Sequence, residues 1–177
     1  MLALLTSLAL LGQPTDMPVT GLQDQQDPPR YNRYRTYQLK DLEIADLKVK
    51  VPQKEGEPKV HKFQCWVMDS YGKRQEGMMF LNKQDVSDSQ GMIFVFKKPE
   101  VQSFWMKNTY IPLDIAYIDK DGKIVKTYTM RPLDTYTDYT SVKEAQYVLE
   151  VNGGVFKKLG IEAGQTFDLP KTLKAKN

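Results

Sequence analysis

Hydrophobic and polar residues alternate along several short segments of the chain, which is the pattern of half-buried strands. In residues 61–68, Phe63, Cys65 and Val67 fall on one face, and the residues between them fall on the other. Residues 91–96, with the sequence GMIFVF, are instead apolar on both faces. The first segment therefore predicts a half-buried strand, and the second predicts a central strand that is covered on both sides.

Further strands are predicted downstream. In residues 110–119, every second position is apolar, so that Ile111, Leu113, Ile115 and Tyr117 share one side. Residues 119–122, with the sequence DKDG, predict a hairpin turn because glycine accepts a positive φ. The other predicted strands span residues 103–107, 123–130, 145–151 and 166–169.

Helix is scarce in this pattern. One short helix is predicted at 155–159, with Asn152 as its cap and Gly160 as its stop. A second short helix or turn is predicted within 81–88, and residues 70–72 predict a turn. Many strands with one or two short helices indicate a mainly β (β-rich α+β) fold, in which a single small domain forms a partly closed barrel or a sandwich.

The N-terminal segment, residues 1–12, is apolar and has the length of a signal peptide. No Lys or Arg precedes it, and residues 19–21 are only a passable cleavage site. We expect an exported protein, periplasmic or extracellular; an ordinary buried helix is the alternative. The apolar run is too short to span a bilayer, so no transmembrane span is expected in the mature chain.

Residues 13–36 are typical of a polar linker, because they contain several prolines and lack apolar periodicity. Three arginines alternate with tyrosines there, a pattern of a solvated linker or of a small nucleic-acid or membrane contact. The predicted β-rich domain then spans 37–170, and a polar tail spans 171–177.

Composition limits the functions open to the chain. Hydrophobic residues make up 41% of it, enough for a packed core, and the net charge is only +3. The lysines are scattered along the sequence, so nucleic acid is not an expected partner. His61 and Cys65, the single residues of their types, lie about 13 Å apart if the strand is extended, and cannot share a metal ion. We therefore expect no metal and no cofactor.

Several motifs are long enough to point to a family. FWMKNT at 104–109 runs into IPLDI at 111–115, and Arg74 precedes GMM at 77–79. YVLE at 147–150 and GIEAG at 160–164 follow. Together these motifs resemble the bacterial and archaeal family called domain of unknown function 192. The resemblance implies a small β-rich domain, commonly behind a signal peptide, for which no activity is established.

A cluster of polar residues stands in apolar surroundings around Trp105. On an extended chain Trp105 and Lys107 share a face, while Asp114 and Glu150 each interrupt an apolar run. Charged groups resist burial unless they are paired, so this cluster either holds a ligand or pairs internally. The ligand-binding candidates are Trp105, Lys107, Asn108, Asp114 and Glu150, together with Arg74 from the family motif.

Three functions remain open. The first is a non-catalytic module that binds a small ligand or a partner protein through the cluster around Trp105. The second is an enzyme that uses Lys107, Asp114 or Glu150 for acid–base chemistry, although the sequence has no nucleophile signature and assigns no catalytic residue. The third is a protein-interaction domain, tethered through 13–36, that docks a partner on a sheet edge or on the helix face of Phe156.

Overall fold

Seven strands and two short helices make up residues 31–176, the part of the chain that the computed structural model describes. The predicted signal-like segment and residues 13–30 of the predicted linker lie outside the described residues. Three short 3-10 turns, Tyr31–Tyr34, Leu39–Asp41 and Lys83–Asp85, complete the structure. The elements in chain order are β1 (Ile44–Val51), β2 (Lys59–Met68), α1 (Tyr71–Glu76), β3 (Gln90–Phe104), β4 (Leu113–Ile118), β5 (Ile124–Met130), β6 (Tyr139–Asn152), α2 (Val155–Leu159) and β7 (Phe167–Asp168).

The strands form a single sheet in the order β5-β4-β6-β3-β2-β1-β7. The β2–β3 pair is parallel and is connected through α1, whereas the other pairs are antiparallel. A bridge between Lys123 and Thr166 links the two edges of the sheet, and Ile124 N–H donates to the carbonyl of Gln165 at 2.8 Å. The sheet therefore curls into a partly closed barrel, which confirms the predicted fold class.

Both faces of the central strands are buried, because alternate side chains enter two different cores. Strands from both edges of the sheet contribute to the inner core, and α2 covers it. The second core lies on the opposite face and is rich in methionine and aromatic side chains. The inner core includes Leu47, Val49, Phe63, Cys65, Ile93, Leu149, Phe156 and Phe167, and the second core includes Trp66, Met68, Met92, Phe94, Met106, Ile115, Tyr117 and Met130.

Most predicted elements are confirmed. The fully apolar segment 91–96 lies in β3, between β2 and β6, where Met92 to Val95 are buried. The alternation in 61–68 belongs to β2, although Trp66 on its other face is also buried, in the second core. The hairpin turn at 119–122 joins β4 to β5, and the helix predicted at 155–159 is α2.

Two predictions near Trp105 and Ser70 are wrong. Residues 103–107 do not form a separate strand, because β3 continues to Phe104 and the chain then turns. The predicted turn at 70–72 is the start of α1, whose first backbone bond runs from Arg74 N–H to the Ser70 carbonyl at 3.0 Å. Gly72, which suggested the turn, sits inside this helix at a position where a Cβ would collide with the hydroxyl of Tyr37.

The capping of α2 also differs from the prediction. The residue before the helix is Gly154, with φ of 88°, rather than Asn152. The Asn152 side chain instead donates to the carbonyl of Val86 at 2.7 Å. Gly160 ends the helix as predicted, in the left-handed conformation with φ of 72°.

The last residues of the predicted linker pack against the domain. Arg35 is buried, and its Nη1 donates to the carbonyl oxygens of Gly77 and Met79 at 2.8 and 2.7 Å. Its Nη2 lies 3.3 Å from the carboxylate of Glu76, which in turn accepts the backbone N–H of Thr36 at 2.6 Å. These contacts fix residues 35–36 onto the loop that follows α1.

Residues 171–176 of the predicted polar tail also pack against the domain. Leu173 packs into the inner core, and Lys176 forms an ion pair with the buried carboxylate of Asp69 at 2.6 Å. Among residues 31–176, no helix has the length and apolar character needed to cross a membrane.

Candidate functional site

Trp105 is the first residue of a turn that follows β3. Its side chain is 49% exposed, whereas the next residue, Met106, is completely buried in the second core. The ammonium of Lys107 lies 5.1 Å from the centroid of the Trp105 ring, within the range of a cation–π contact. Trp105 and Lys107 therefore lie together at the surface, and Met106 anchors the turn between them.

Backbone hydrogen bonds fix this turn to two neighbouring loops. Met106 N–H donates to the carbonyl of Asp134 at 3.0 Å, and Leu133 N–H donates to the carbonyl of Thr109 at 2.9 Å. The carbonyl of Asn108 accepts the N–H of Phe80 at 2.9 Å. Asn108 has φ of 53°, a conformation that asparagine tolerates better than most residues, so its part in the turn is structural.

The carboxylate of Asp134 organises the loop at 131–137. It accepts the N–H groups of Tyr136 and Thr137 at 3.1 and 3.0 Å, and the hydroxyls of Thr137 and Tyr139 at 2.7 and 3.0 Å. Arg131 adds an ion pair at 2.9 Å. These hydrogen bonds, led by those from Thr137, hold the pKa of the Asp134 carboxyl well below its usual range.

Exposed apolar side chains concentrate on these two joined loops. Of the ten exposed large hydrophobic residues within 31–176, four lie on these loops, namely Trp105, Tyr110, Leu133 and Tyr136, and two more, Val101 and Val142, lie in the adjoining ends of β3 and β6. Leu133 is 53% exposed and Tyr136 is 98% exposed. We call the set formed by Trp105, Lys107, Tyr110, Leu133 and Tyr136 the Trp105 surface.

Backbone strain concentrates in the same place. Within the described part of the chain, four residues other than glycine have a positive φ: Phe80, Asn108, Leu133 and Val142. Leu133 lies on the Trp105 surface, Asn108 lies in its turn, and Phe80 donates to Asn108. Such conformations cost on the order of 1–3 kcal/mol each and are enriched at functional sites.

Arg74 does not join the Trp105 surface. Its Nη1 donates to the carbonyl of Val95 in β3 at 3.1 Å, and its guanidinium lies 5.2 Å from the centroid of the Phe96 ring. Burial lowers the pKa of this guanidinium. Arg74 therefore fixes α1 onto the middle of β3.

Glu150 lies in the second core, where β6 passes between β3 and β4. Its Cα partners are Met92 and Ile115, and the side chain is almost fully buried. Gly77, with φ of 45°, packs beside it: a Cβ there would lie 3.8 Å from the Glu150 carboxylate and 3.1 Å from the Phe94 ring. Burial raises the pKa of the Glu150 carboxyl to about 8, so the group is mainly protonated at neutral pH.

Asp114 lies on the opposite face of the sheet from Glu150. Its Cα partner in β6 is Val151, which faces the inner core, and its carboxylate accepts the Thr129 hydroxyl at 2.6 Å. The other oxygen accepts the N–H of Phe156 at 2.8 Å. Asp114 therefore caps α2 from a neighbouring strand, in place of the predicted Asn152 cap.

The structure separates the three groups of the acid–base hypothesis. Asp114 and Glu150 are buried on opposite faces of one sheet, and Lys107 is exposed on a loop. The interaction hypothesis also changes: Phe156 is only 5% exposed and packs in the inner core, so it offers no surface to a partner. Of the six candidates, Trp105, Lys107 and Asn108 come together, whereas Arg74, Asp114 and Glu150 do not join them.

Sequence reasoning missed the second half of the Trp105 surface. Residues 131–137 follow β5 with the sequence RPLDTYT, which indicates only a polar loop. A signal was present in Asp134 itself, because an aspartate after Pro132 in a loop favours an Asx turn, in which its carboxylate accepts the N–H two residues on. The spacing did not reveal that this loop bonds to the turn at 106–109.

Fold and site together define a class of small β-rich domains with a partly closed barrel, an apolar loop surface at one end, and no assembled catalytic group among the candidates. The family model of domain of unknown function 192, described as "Uncharacterized ACR", matches residues 51–169. Because this match covers more than half of the chain, the chain belongs to that family, as its motifs predict.

Solved structures support the same fold. A Sinorhizobium meliloti protein, provisionally described as a transcription regulator, is 26% identical, with a TM-score of 0.66, and the match covers 72% of this chain and 95% of that one. A Novosphingobium aromaticivorans protein of unknown function is 29% identical, with a TM-score of 0.65, covering 76% of this chain and 91% of that one. No curated protein matches the chain.

Proposed function

We propose that this protein is an exported, non-catalytic binding module that docks a partner protein on the Trp105 surface. The observation that carries the proposal is the concentration of exposed aromatic and apolar side chains on two loops that are bonded to each other. Exposing apolar area to water is unfavourable, so grouped apolar residues on the surface of a monomer usually mark an interaction site.

The composition of the surface favours a protein partner. Trp, Tyr and Arg dominate the binding energy of protein interfaces, and Trp105, Tyr110, Tyr136 and Arg131 are all found on these loops. The ammonium of Lys107 beside the indole favours a partner that presents an acidic residue next to an apolar one. The hydrogen bonds of Asp134 fix the loop before binding, which lowers the entropy lost in the complex.

A site-specific photocrosslinker tests this docking surface. It would replace Tyr136 in one variant and Tyr71, which is also exposed but lies on α1, in a matched control. We expect a discrete adduct from position 136 in cell-envelope extracts and none from position 71. Equal labelling at both positions, or no adduct at 136, would overturn the proposal.

The captured partner must then bind through Trp105. With the purified partner, Trp105→Ala should weaken affinity by about tenfold or more, since aromatic hot spots contribute about 2 kcal/mol or more. Circular dichroism should show an unchanged fold, because Trp105 is half exposed. An unchanged affinity would refute docking on the Trp105 surface. Loss of the folded state in Trp105→Ala would show that the indole supports the core instead.

A small ligand is the other occupant that the cluster suggests. If soluble saccharides raised the melting temperature of the wild type but not of Trp105→Ala, and no adduct formed at 136, the surface would be a small-ligand site and the protein-docking proposal would be wrong.

Export is tested separately. Residues 1–36 fused to a reporter that is active only outside the cytoplasm should give activity, and deletion of residues 1–12 should abolish it. Equal activity with and without residues 1–12 would refute export through this segment.

A further inference from the structure

A second surface lies away from the Trp105 surface. It is a cleft of about 1000 Å³ between β1 and β2, the turn from β4 to β5, and the segment around β7. None of the six sequence-predicted candidates lines it. We call it the lysine cleft, because Lys48, Lys50, Lys62, Lys120 and Lys171 line it.

The cleft has an excess of positive charge. Its five lysines face two acidic residues, Asp121 and Asp168, and Lys120 is paired with Asp121 at 2.8 Å. Within residues 31–176 the structure gives no ion pair to the other four lysines. Their charges therefore attract an anion from solution.

The register of the sheet places two of these charges directly against each other. Lys48 in β1 is the Cα partner of Lys62 in β2, and Lys50 is the next residue on the same face. On the other side of β1, Lys48 is the Cα partner of Asp168 in β7, which offsets one of these three positive charges. Directly opposed side chains have Cβ atoms about 5 Å apart, and like charges at this spacing are destabilising. A bound anion between the ammonium groups would turn this repulsion into attraction.

The cleft also has apolar walls. Val60 is 48% exposed beside the lysines, and Tyr147, Leu169 and Pro170 are partly exposed to the same space. A purely ionic ligand would leave this apolar area in water, whereas a ligand with an apolar portion would cover it. Its volume is at the upper end of the range for small-molecule sites.

We propose that the lysine cleft binds a small phosphorylated organic anion that carries at least two negative charges next to an apolar chain or ring. Lysine ammonium groups bind phosphate as point charges. Lys48 and Lys62 hold the phosphate groups, and Val60, Tyr147 and Leu169 contact the apolar portion.

Isothermal titration calorimetry tests the site with two probes, adenosine diphosphate and farnesyl diphosphate. Adenosine and inorganic pyrophosphate are the controls, since each carries only half of the required chemistry. We expect at least one probe to bind about tenfold more tightly than either control. Affinity should fall as salt is added, because exposed charges are screened.

Matched lysine variants localise the binding. The double variant Lys48→Gln/Lys62→Gln should lose about tenfold or more in affinity, whereas Lys157→Gln/Lys174→Gln, which removes the same charge elsewhere, should stay within about twofold. Trp105→Ala should bind the probe as the wild type does, which separates this site from the Trp105 surface.

Three results would overturn the proposal. The first is that neither diphosphate probe binds more tightly than its controls at millimolar concentration. The second is an equal loss of affinity in the two lysine double variants, which would indicate a diffuse charge effect. The third is binding of a long polyanion such as single-stranded DNA without binding of either probe.

Discussion

Replacing Glu150 by Gln should change how the stability of the domain depends on pH. The Glu150 carboxyl has a pKa raised by burial from 4.5 to about 8. Since the folded state holds the proton more tightly than the unfolded state, the free energy of unfolding is highest at low pH. It falls as pH rises above 4.5 and levels off above about 8.

The size of the effect follows from the two pKa values. Between them, the free energy of unfolding falls by up to about 1.4 kcal/mol per pH unit. From pH 5 to pH 9 the wild type should therefore lose roughly 4 kcal/mol through this one group, a large part of the 5–15 kcal/mol that is typical of a folded domain. Glutamine has nearly the same shape and does not titrate, so Glu150→Gln should lack this loss.

Urea unfolding, followed by far-ultraviolet circular dichroism at several pH values, measures the difference between the two proteins. Other titrating groups are common to both and cancel; burial lowers the pKa of His61, for example, which acts with the opposite sign. The two proteins should be similar near pH 5, and the variant should be the more stable one above pH 8. If the free energies of unfolding of the wild type and of Glu150→Gln changed with pH in the same way across this range, Glu150 would instead be ionised and paired in the folded state.

Three further substitutions test the roles assigned above. Asp114→Ala removes the acceptor of the Phe156 N–H and should lower the free energy of unfolding by about 1–3 kcal/mol in urea titrations; an unchanged midpoint would refute the capping role. Lys62→Glu replaces the repulsion by Lys48 with attraction and should stabilise the domain by about 0.2–1 kcal/mol, whereas a lower melting temperature would contradict the charge argument. Asp134→Ala should speed amide hydrogen exchange at 136 and 137 by about tenfold or more, and unchanged exchange there would show that other contacts hold the loop.

Periodicity predicted six of the seven strands because burial on this sheet is regular, but β1 (Ile44–Val51) was not predicted. The apolar run at 91–96 could only lie where both faces are covered, and β3 indeed separates the two cores. Helix α1 was missed because its sequence, YGKRQE, has no buried residue and contains a glycine. Its stability comes from tertiary contacts, such as the bond from Arg74 to Val95, which no local pattern encodes.

The candidate site was predicted only in part, for a related reason. Residues close in sequence, such as Trp105 and Lys107, come together because local geometry decides their direction. Asp114 and Glu150 are both buried among apolar residues, as their positions suggested, but their faces depend on strand register. Register is a property of the whole sheet, so a single sequence could not show that these carboxyl groups lie on opposite faces.

The contacts of Arg35 have a mechanical consequence. Asn32 donates to the carboxylate of Asp85, and the ring of Tyr34 packs against Phe80. Together with the bonds from Arg35 to the carbonyls of Gly77 and Met79, these contacts tie the chain after residue 31 to the segment 77–85. Within this segment, Phe80 is bonded to Asn108 in the turn that carries the exposed indole. Pulling on the chain ahead of residue 31 therefore acts on this segment first and, through Phe80, on the turn that carries Trp105.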